Sequence, residues 1–277
     1  MVDTPSILVI DSGVGGLSVC QSILAAGSPL QVIYFADDAF APYGLLDEKA
    51  LEERLEKIVS SMLAIHQPQL VVLACNTVST LLLPQLRAQF DVPFVGVVPA
   101  IKPAAKHSIT NRIGLLATPA TVKRAYTDDL INDYAGNCEV IRVGSNELVL
   151  QAEALLAGEN ISLDVIELIL KPFLSDDVSP SVDTIVLGCT HFPLLKSHLH
   201  TVLPDVSWVD SGAAIAKRVH SLLNGKNLRN HDLVPNSSDL IEHQIYFSKS
   251  LPSGAIFKAA LVKLGFIVSE LHLLDVK

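Results

Sequence analysis

The sequence predicts an α/β protein of two similar domains with mostly parallel sheets, facing each other about a pseudo-twofold axis. Three observations carry that reading. Short apolar runs of strand length alternate with longer segments of helical period, the rhythm of βαβ units. The rhythm occurs twice, before and after a proline-rich stretch, VPFVGVVPAIKP, at 92–103. Words of the first half also return in the second: VIDSG at 9–13 is echoed by WVDSG at 208–212, and VVLACNT at 71–77 by TIVLGCTH at 184–191.

In the first half, ILVID (7–11), QVIYF (31–35), LVVLA (70–74) and PFVGVV (93–98) read as buried strands, because parallel strands covered on both faces are continuous apolar runs. Helices are expected between them at about 15–26, 47–65 and 79–89. The second half repeats the scheme with RIGLLAT (112–118), CEVIRVG (138–144), TIVLGC (184–189) and VSWVDS (206–211). The proline-rich stretch is the expected crossing point between the domains. The tail, from IYFSKS at 245–250 onward, mixes both periods and is left unplaced.

Composition narrows the function classes. The chain has 277 residues, 49% hydrophobic and 18% charged, which argues for well-formed cores and against disorder. Its 20 basic and 29 acidic residues give a net charge of −9 with no basic block, so nucleic acid and anionic membranes are disfavoured partners. Four cysteines without a CxxC read as free thiols of an intracellular protein. The start, MVDTPSILVIDSG, lacks the basic region of a signal peptide. Gln67 to Leu86 carries no charge, but its prolines, amides and hydroxyls argue against a lipid-spanning helix. A cytoplasmic location is expected.

In open parallel sheets, ligands bind beyond the carboxyl ends of the strands. Asp11, Cys75 and Cys189 all fall at such ends. The residues after each of these cysteines offer hydroxyl or amide groups suited to capping a following helix, and Pro193 suits a first helical turn. A thiol at a helix start gains thiolate character from the backbone N–H groups and the dipole. Cys20 and Cys138 lack this setting and read as small buried hydrophobes. No close ligand spacing around His191 supports a zinc site.

DSGVGG at 11–16 resembles neither common nucleotide loop. A dinucleotide fingerprint needs a third glycine where Ser18 stands, and the phosphate loop of nucleotide hydrolases needs a lysine. A tight turn presenting Asp11, Ser12 and backbone N–H groups to a small anion fits better. Asp11 and His191 are candidate proton partners for the thiols. FADDAFAPYG at 35–44 is a candidate substrate loop.

VIDSGVGGLSV, APYG, ACNTVST, GVVPAIKPA, LLATPATVKRAY, GCTHFPLL and VDSGAAIA together resemble bacterial glutamate racemases, cofactor-independent enzymes that make D-glutamate for peptidoglycan. The words run from residue 9 to about 216, and the paired cysteine words in order are the specific part. The resemblance implies a first domain of 1–98 with 210–277, a second of 99–209, and a substrate enclosed in the cleft between them. It implies that Cys75 takes the α-proton from D-glutamate and Cys189 from L-glutamate. It assigns Asp11 to assist Cys75, and Glu153 and His191 to the Cys189 side. Ser12, Tyr43, Gly44, Asn76, Thr77, Thr118, Thr121 and Thr190 match positions that hold the substrate. Val78 and Phe192 depart from the commoner alanine and tyrosine, and the segment before Glu153 lacks the proline-rich form of many relatives. GVVPAIKPA and TVKRAY are most similar to the enterobacterial subgroup, some of whose members need UDP-N-acetylmuramoyl-L-alanine as activator. Expected partners are therefore glutamate, this activator and a second copy of the chain in a homodimer. No cofactor and no metal are expected.

The chemistry is consistent with two thiols. Inverting a stereocentre by proton transfer needs a base on one face and an acid on the other. Cysteine's ordinary pKa of about 8.5 makes either role accessible with modest tuning. Rival readings are an aspartate racemase of the same group, a cysteine hydrolase using Cys189 and His191, and a ligand-binding module without catalysis. The hydrolase leaves Cys75 without a role, and two residues of separation do not guarantee a working dyad.

Overall fold

The computed structural model describes residues 4–27, 29–174, 181–225, 241–252 and 254–276. The chain forms two compact units, Met1–Val97 with Gly212–Lys277, and Val98–Ser211.

The first unit opens with β1 (Ser6–Asp11), α1 (Leu17–Ala25), β2 (Gln31–Ala36), α2 (Glu48–His66), β3 (Leu70–Leu73), α3 (Asn76–Gln89) and β4 (Phe94–Gly96). Every residue of β1 is buried, as expected for a central strand covered on both faces. Leu8, Ile10, Ile33, Phe35, Val71 and Leu73 form one core with Leu51, Leu55, Ile58 and Met62 of α2 and Val78, Leu82 and Leu86 of α3. Burying each such side chain stabilises the fold by about 1.5–3 kcal/mol relative to exposure. By strand alternation, Ile7 and Val9 turn to the opposite face. Asp47 starts α2 by accepting the N–H groups of Lys49 and Ala50, and Gln67 stops it in the left-handed region at φ 50°.

The second unit contains α4 (Ile101–His107), β5 (Arg112–Ala117), α5 (Pro119–Val122), α6 (Ala125–Tyr134), β6 (Glu139–Gly144), α7 (Glu147–Ala157), α8 (Leu163–Leu170), β7 (Thr184–Leu187), α9 (Lys196–Val202) and β8 (Ser207–Val209). Ile113, Leu115, Ala117 and Val186 pack with α4 and α6. On the other side, Leu116, Ile185 and Leu187 join residues of α7, α8 and α9. The alternation along β5 thus separates two cores around one buried strand.

The chain then returns to the first unit with α10 (Gly212–Gly225), β9 (Gln244–Phe247), α11 (Gly254–Lys263) and β10 (Leu271–Leu273). α10 packs against α1, and the His220 ring nitrogen Nε2 lies 3.1 Å from the Ile23 carbonyl oxygen.

Both sheets are parallel. Their strand orders are β10-β9-β2-β1-β3-β4 and β6-β5-β7-β8. Each contains the same four-strand order: the second strand of the unit lies beside the first, and the third and fourth follow on its other side. The winding direction therefore reverses between β1 and β3 in one sheet, and between β5 and β7 in the other. Such a reversal opens a crevice at the carboxyl ends of the two strands concerned.

Two local expectations need correction. α3 begins at Asn76 rather than near 79, so Asn76 and Thr77 belong to the helix instead of capping it from outside. Cys189 is followed by a 3-10 turn, Phe192–Leu195, with Pro193 in its opening positions, and the α-helix starts only at Lys196. The helix-start argument for a thiolate thus applies to Cys75 alone. Among the described residues, no helix is long and apolar enough to cross a membrane.

Candidate active site

Asp11 ends β1, and Cys75 stands two residues beyond the end of the adjacent β3. Both are therefore at the crevice of the first sheet. Asp11 is buried, and its Oδ1 accepts the Ser12 N–H at 2.8 Å. The DSGVGG turn passes close beneath: a Cβ added at Gly16 would lie 2.9 Å from Ala74 Cβ, 2.9 Å from the Tyr34 hydroxyl and 3.0 Å from Asp11 Cβ. Glycine here answers to space. The Tyr34 hydroxyl donates to the Gly13 carbonyl at 2.6 Å and holds the turn down.

Cys75 has an extended backbone (φ −131°, ψ 122°) at the N-cap position of α3, the positive end of the helix dipole. Ser79 braces the turn. Its N–H donates to the Cys75 carbonyl at 2.9 Å, its hydroxyl to the Leu73 carbonyl at 2.9 Å, and the same oxygen accepts the Val97 N–H. Asn76 and Thr77 are buried at the start of the helix, and Asn76 Oδ1 has no hydrogen-bond partner among the described residues.

Tyr43 and Gly44 open a 3-10 turn, Tyr43–Leu45. The Tyr43 ring is buried and its hydroxyl donates to Asp37 Oδ2 at 2.9 Å. Burial above all, then the negative charges of Asp37, Cys75 and Asp11, pushes this hydroxyl well above the ordinary tyrosine pKa, so it stays protonated. Asp11 also acts on Cys20, whose thiol is raised mainly by burial and further by that charge. Cys20 is thereby kept as an inert thiol, as its sequence setting suggested.

In the second unit, Thr118 follows β5, and Cys189 stands two residues beyond the end of the adjacent β7. Thr118 caps α5 by accepting the Thr121 N–H at 3.4 Å, and the two threonine hydroxyls lie 3.0 Å apart. Gly188 lets the segment before the thiol run close to β5: an added Cβ would meet Ala117 Cβ and Leu115 Cδ1, both at 3.0 Å.

Cys189, Thr190 and His191 are all buried. The Cys189 sulfur lies 3.8 Å from His191 Nδ1, and His191 Nε2 lies 2.7 Å from Glu153 Oε1. Burial alone would lower the His191 pKa, but hydrogen bonds to Cys189 and Glu153, with their charges, outweigh it and raise the value well above normal. Glu153 comes from α7 and is the partly solvated end of this thiol–imidazole–carboxylate chain. Such a chain can pass a proton to or from sulfur while fixing the ring's orientation.

Each sheet thus places one cysteine beyond the end of a central strand, Cys75 after β3 and Cys189 after β7. Asp37 and Arg54 escaped the sequence reading. Arg54 Nη2 lies 2.6 Å from Asp37 Oδ1 and Arg54 Nε lies 3.0 Å from Oδ2, with both side chains buried. A signal existed: Arg54 falls within the apolar stripe of α2, where Leu51, Leu55 and Ile58 are buried. Among the described residues no group of three or more His, Cys, Asp or Glu side chains is placed to hold a metal ion.

The chain is similar to known proteins in both sequence and fold. Residues 7–219 match the sequence profile of the family described as Asp/Glu/Hydantoin racemase. Glutamate racemase from Pectobacterium atrosepticum is 48% identical over 263 residues, covering 95% of this chain and 89% of the relative. Glutamate racemase from Escherichia coli O139:H28 is 50% identical over 220 residues, covering 79% and 76%. The crystal structure of Escherichia coli glutamate racemase in complex with L-glutamate and the activator UDP-MurNAc-Ala superposes with a TM-score of 0.85 at 44% identity, covering 99% of this chain and 100% of that one.

Proposed function

This chain belongs to the Asp/Glu/Hydantoin racemase family, and on that premise we propose that it interconverts L- and D-glutamate by moving the α-hydrogen between two thiols. One observation carries the reading: each sheet places one cysteine beyond a central strand, Cys75 next to the strand that ends in Asp11, and Cys189 within reach of the His191–Glu153 pair.

Starting from L-glutamate, the Cys189 thiolate removes the α-proton, breaking the C–H bond and forming S–H. The electron pair left on carbon is delocalised into the substrate's own α-carboxylate. The Cys75 thiol then delivers its proton to the opposite face of that carbon and becomes thiolate, giving D-glutamate. The reverse reaction exchanges the two roles. Fixed N–H and hydroxyl donors oppose the charge that builds on the carboxylate, the largest barrier in such a step. Asn76 Oδ1, a buried acceptor, suits the substrate ammonium. Ser12, Thr77, Thr118, Thr121 and Thr190 supply further polar contacts, and the Tyr43–Gly44 turn completes the binding set. D-Glutamate so made would serve cell-wall peptidoglycan, and the enzyme would work in the cytoplasm.

L-Glutamate incubated in heavy water without added cofactor tests the reading. The expected product is D-glutamate carrying one α-deuterium per inversion. Absence of inversion, or inversion with the original hydrogen retained, would overturn it, and preferential turnover of L-aspartate in a parallel arm would reassign the substrate. The likeness to the Escherichia coli enzyme crystallised with UDP-MurNAc-Ala supports the same activator here. Its addition is then expected to raise the turnover rate, and an unchanged rate would remove it from the proposal.

A further inference from the structure

We infer that Asp37 and Arg54 are positioning residues for the Tyr43–Gly44 turn and, through it, set how tightly glutamate is held. This rests on the glutamate reading above. Asp37 directly follows β2 and is fully buried. Its carboxylate is engaged on both oxygens: Oδ1 accepts Arg54 Nη2 at 2.6 Å, and Oδ2 accepts Arg54 Nε at 3.0 Å and the Tyr43 hydroxyl at 2.9 Å. The Arg54 guanidinium also lies 4.3 Å from the Phe40 ring centroid and donates through Nη1 to the Val276 carbonyl. Three residues of one loop, Asp37, Phe40 and Tyr43, are thus tied directly or through one carboxylate to a single side chain of α2.

Energetics favour a geometric role for this pair. Taking two charges out of water is costly, and apolar side chains of equal volume often stabilise a core better. A buried pair is therefore weak evidence for stability. What apolar residues cannot supply is a directed acceptor for the Tyr43 hydroxyl. The Arg54 fork fixes the plane of the Asp37 carboxylate, and the remaining acceptor direction on Oδ2 fixes the phenol. Gly44, next in the chain, then has little freedom at its N-terminal side. The side chains of the pair make contact with Tyr43, Phe40 and Val276, so on this inference its loss should weaken binding and spare the proton-transfer step.

The test compares KM and kcat for glutamate in Tyr43→Phe, Arg54→Lys, the charge-neutral double variant D37L/R54M, which leaves no acceptor for the Tyr43 hydroxyl, and the triple variant that adds Tyr43→Phe to it. Tyr43→Phe and the double variant should each raise KM by about tenfold, the factor expected for one lost charge-assisted hydrogen bond, with kcat within about twofold. Arg54→Lys keeps the charge without the fork and should fall between. The triple variant should show no further rise over the double, because the hydroxyl has already lost its acceptor. Wild-type KM in Tyr43→Phe, or a loss confined to kcat or to the fraction of active enzyme, would overturn the inference. So would a full additional factor in the triple variant, which would mean that the hydroxyl acts on substrate directly. Tyr43→Phe removes a single oxygen atom and carries the test even if the double variant does not fold. Failure of the wild-type protein to racemise glutamate would strike the underlying reading instead.

Discussion

His191 bridges Cys189 and Glu153, with Nδ1 3.8 Å from the sulfur and Nε2 2.7 Å from the carboxylate oxygen. An ionised carboxylate only accepts, so Nε2 carries a hydrogen, and Nδ1 is the nitrogen that exchanges a proton with the thiol. Glu153 thereby sets the ring's tautomer from the solvated side of the chain.

Glu153→Gln should lower the His191 pKa, because one of the interactions that raise it loses its charge. A histidine whose pKa is raised by folding adds stability that is complete below its unfolded value of about 6.5 and is lost as pH climbs through the folded value. The stability advantage of the wild-type protein over E153Q should therefore be greatest near pH 6 and narrow as the solution becomes more alkaline. Urea midpoints measured across that range check this, and a constant gap would contradict it.

Cys75→Ala and Cys189→Ala should each cut racemisation by about 10²–10⁴-fold, the usual contribution of one positioned proton-transfer group. The two values of kcat/KM must stay equal in any variant, because the enantiomers have equal free energy in water. The variants should differ in solvent exchange. Cys75→Ala should wash deuterium into the α-position of L-glutamate only, and Cys189→Ala into D-glutamate only. Exchange of both enantiomers by either variant, followed by NMR, would contradict one base per face.

Gly16→Ala and Gly188→Ala should each destabilise the fold by about 1–3 kcal/mol through overpacking. At Gly16 the new methyl would press on Ala74 and Asp11, and at Gly188 on Ala117 and Leu115. Both positions adjoin a proposed catalytic residue in space or sequence, so activity should fall even at temperatures where the variants remain folded. Denaturant unfolding alongside racemisation assays separates the two effects.

Asp183, at the amino end of β7, accepts the backbone N–H groups of Ile109 at 2.7 Å and Thr110 at 2.8 Å. Burial works against its charge, but hydrogen bonding outweighs it and holds the pKa at about 2. A depressed carboxylate contributes stability above its unfolded pKa and loses it as pH falls through the folded value. Asp183→Asn should thus be less stable than wild type at neutral pH, with the difference shrinking from about pH 4 towards pH 2. Acid titrations of the two proteins provide the comparison.

The central strands were legible because buried parallel strands are unbroken apolar runs, as in Ile7 to Ile10 and Leu70 to Leu73. The same reasoning put Asp11, Cys75 and Cys189 near strand ends. It did not place β9 and β10, which are only four and three residues long and only partly buried, leaving too little pattern to separate strand from loop. The pairing of Glu153 with His191 was invisible to periodicity, since Glu153 sits partly solvated on a helix 38 residues away. Resemblance supplied that residue, and geometry supplied its contact. Arg54 went unnoticed because a charge in an apolar stripe is easily read as the helix's wet edge, and Asp37 because nothing local tells which aspartate of FADDAF is the buried one.

The strand order of the first sheet has a consequence for synthesis on the ribosome. β9, which pairs with β2, is translated only after the whole of residues 98–211. Until then QVIYFA of β2 presents an uncharged, β-prone edge with unmatched main-chain groups. The middle of the polypeptide can finish folding before its beginning does, and the nascent chain carries an adhesive border throughout that interval. Chaperone dependence during expression should track the arrival of β9, and chains halted at residue 225 should aggregate more readily than full-length ones.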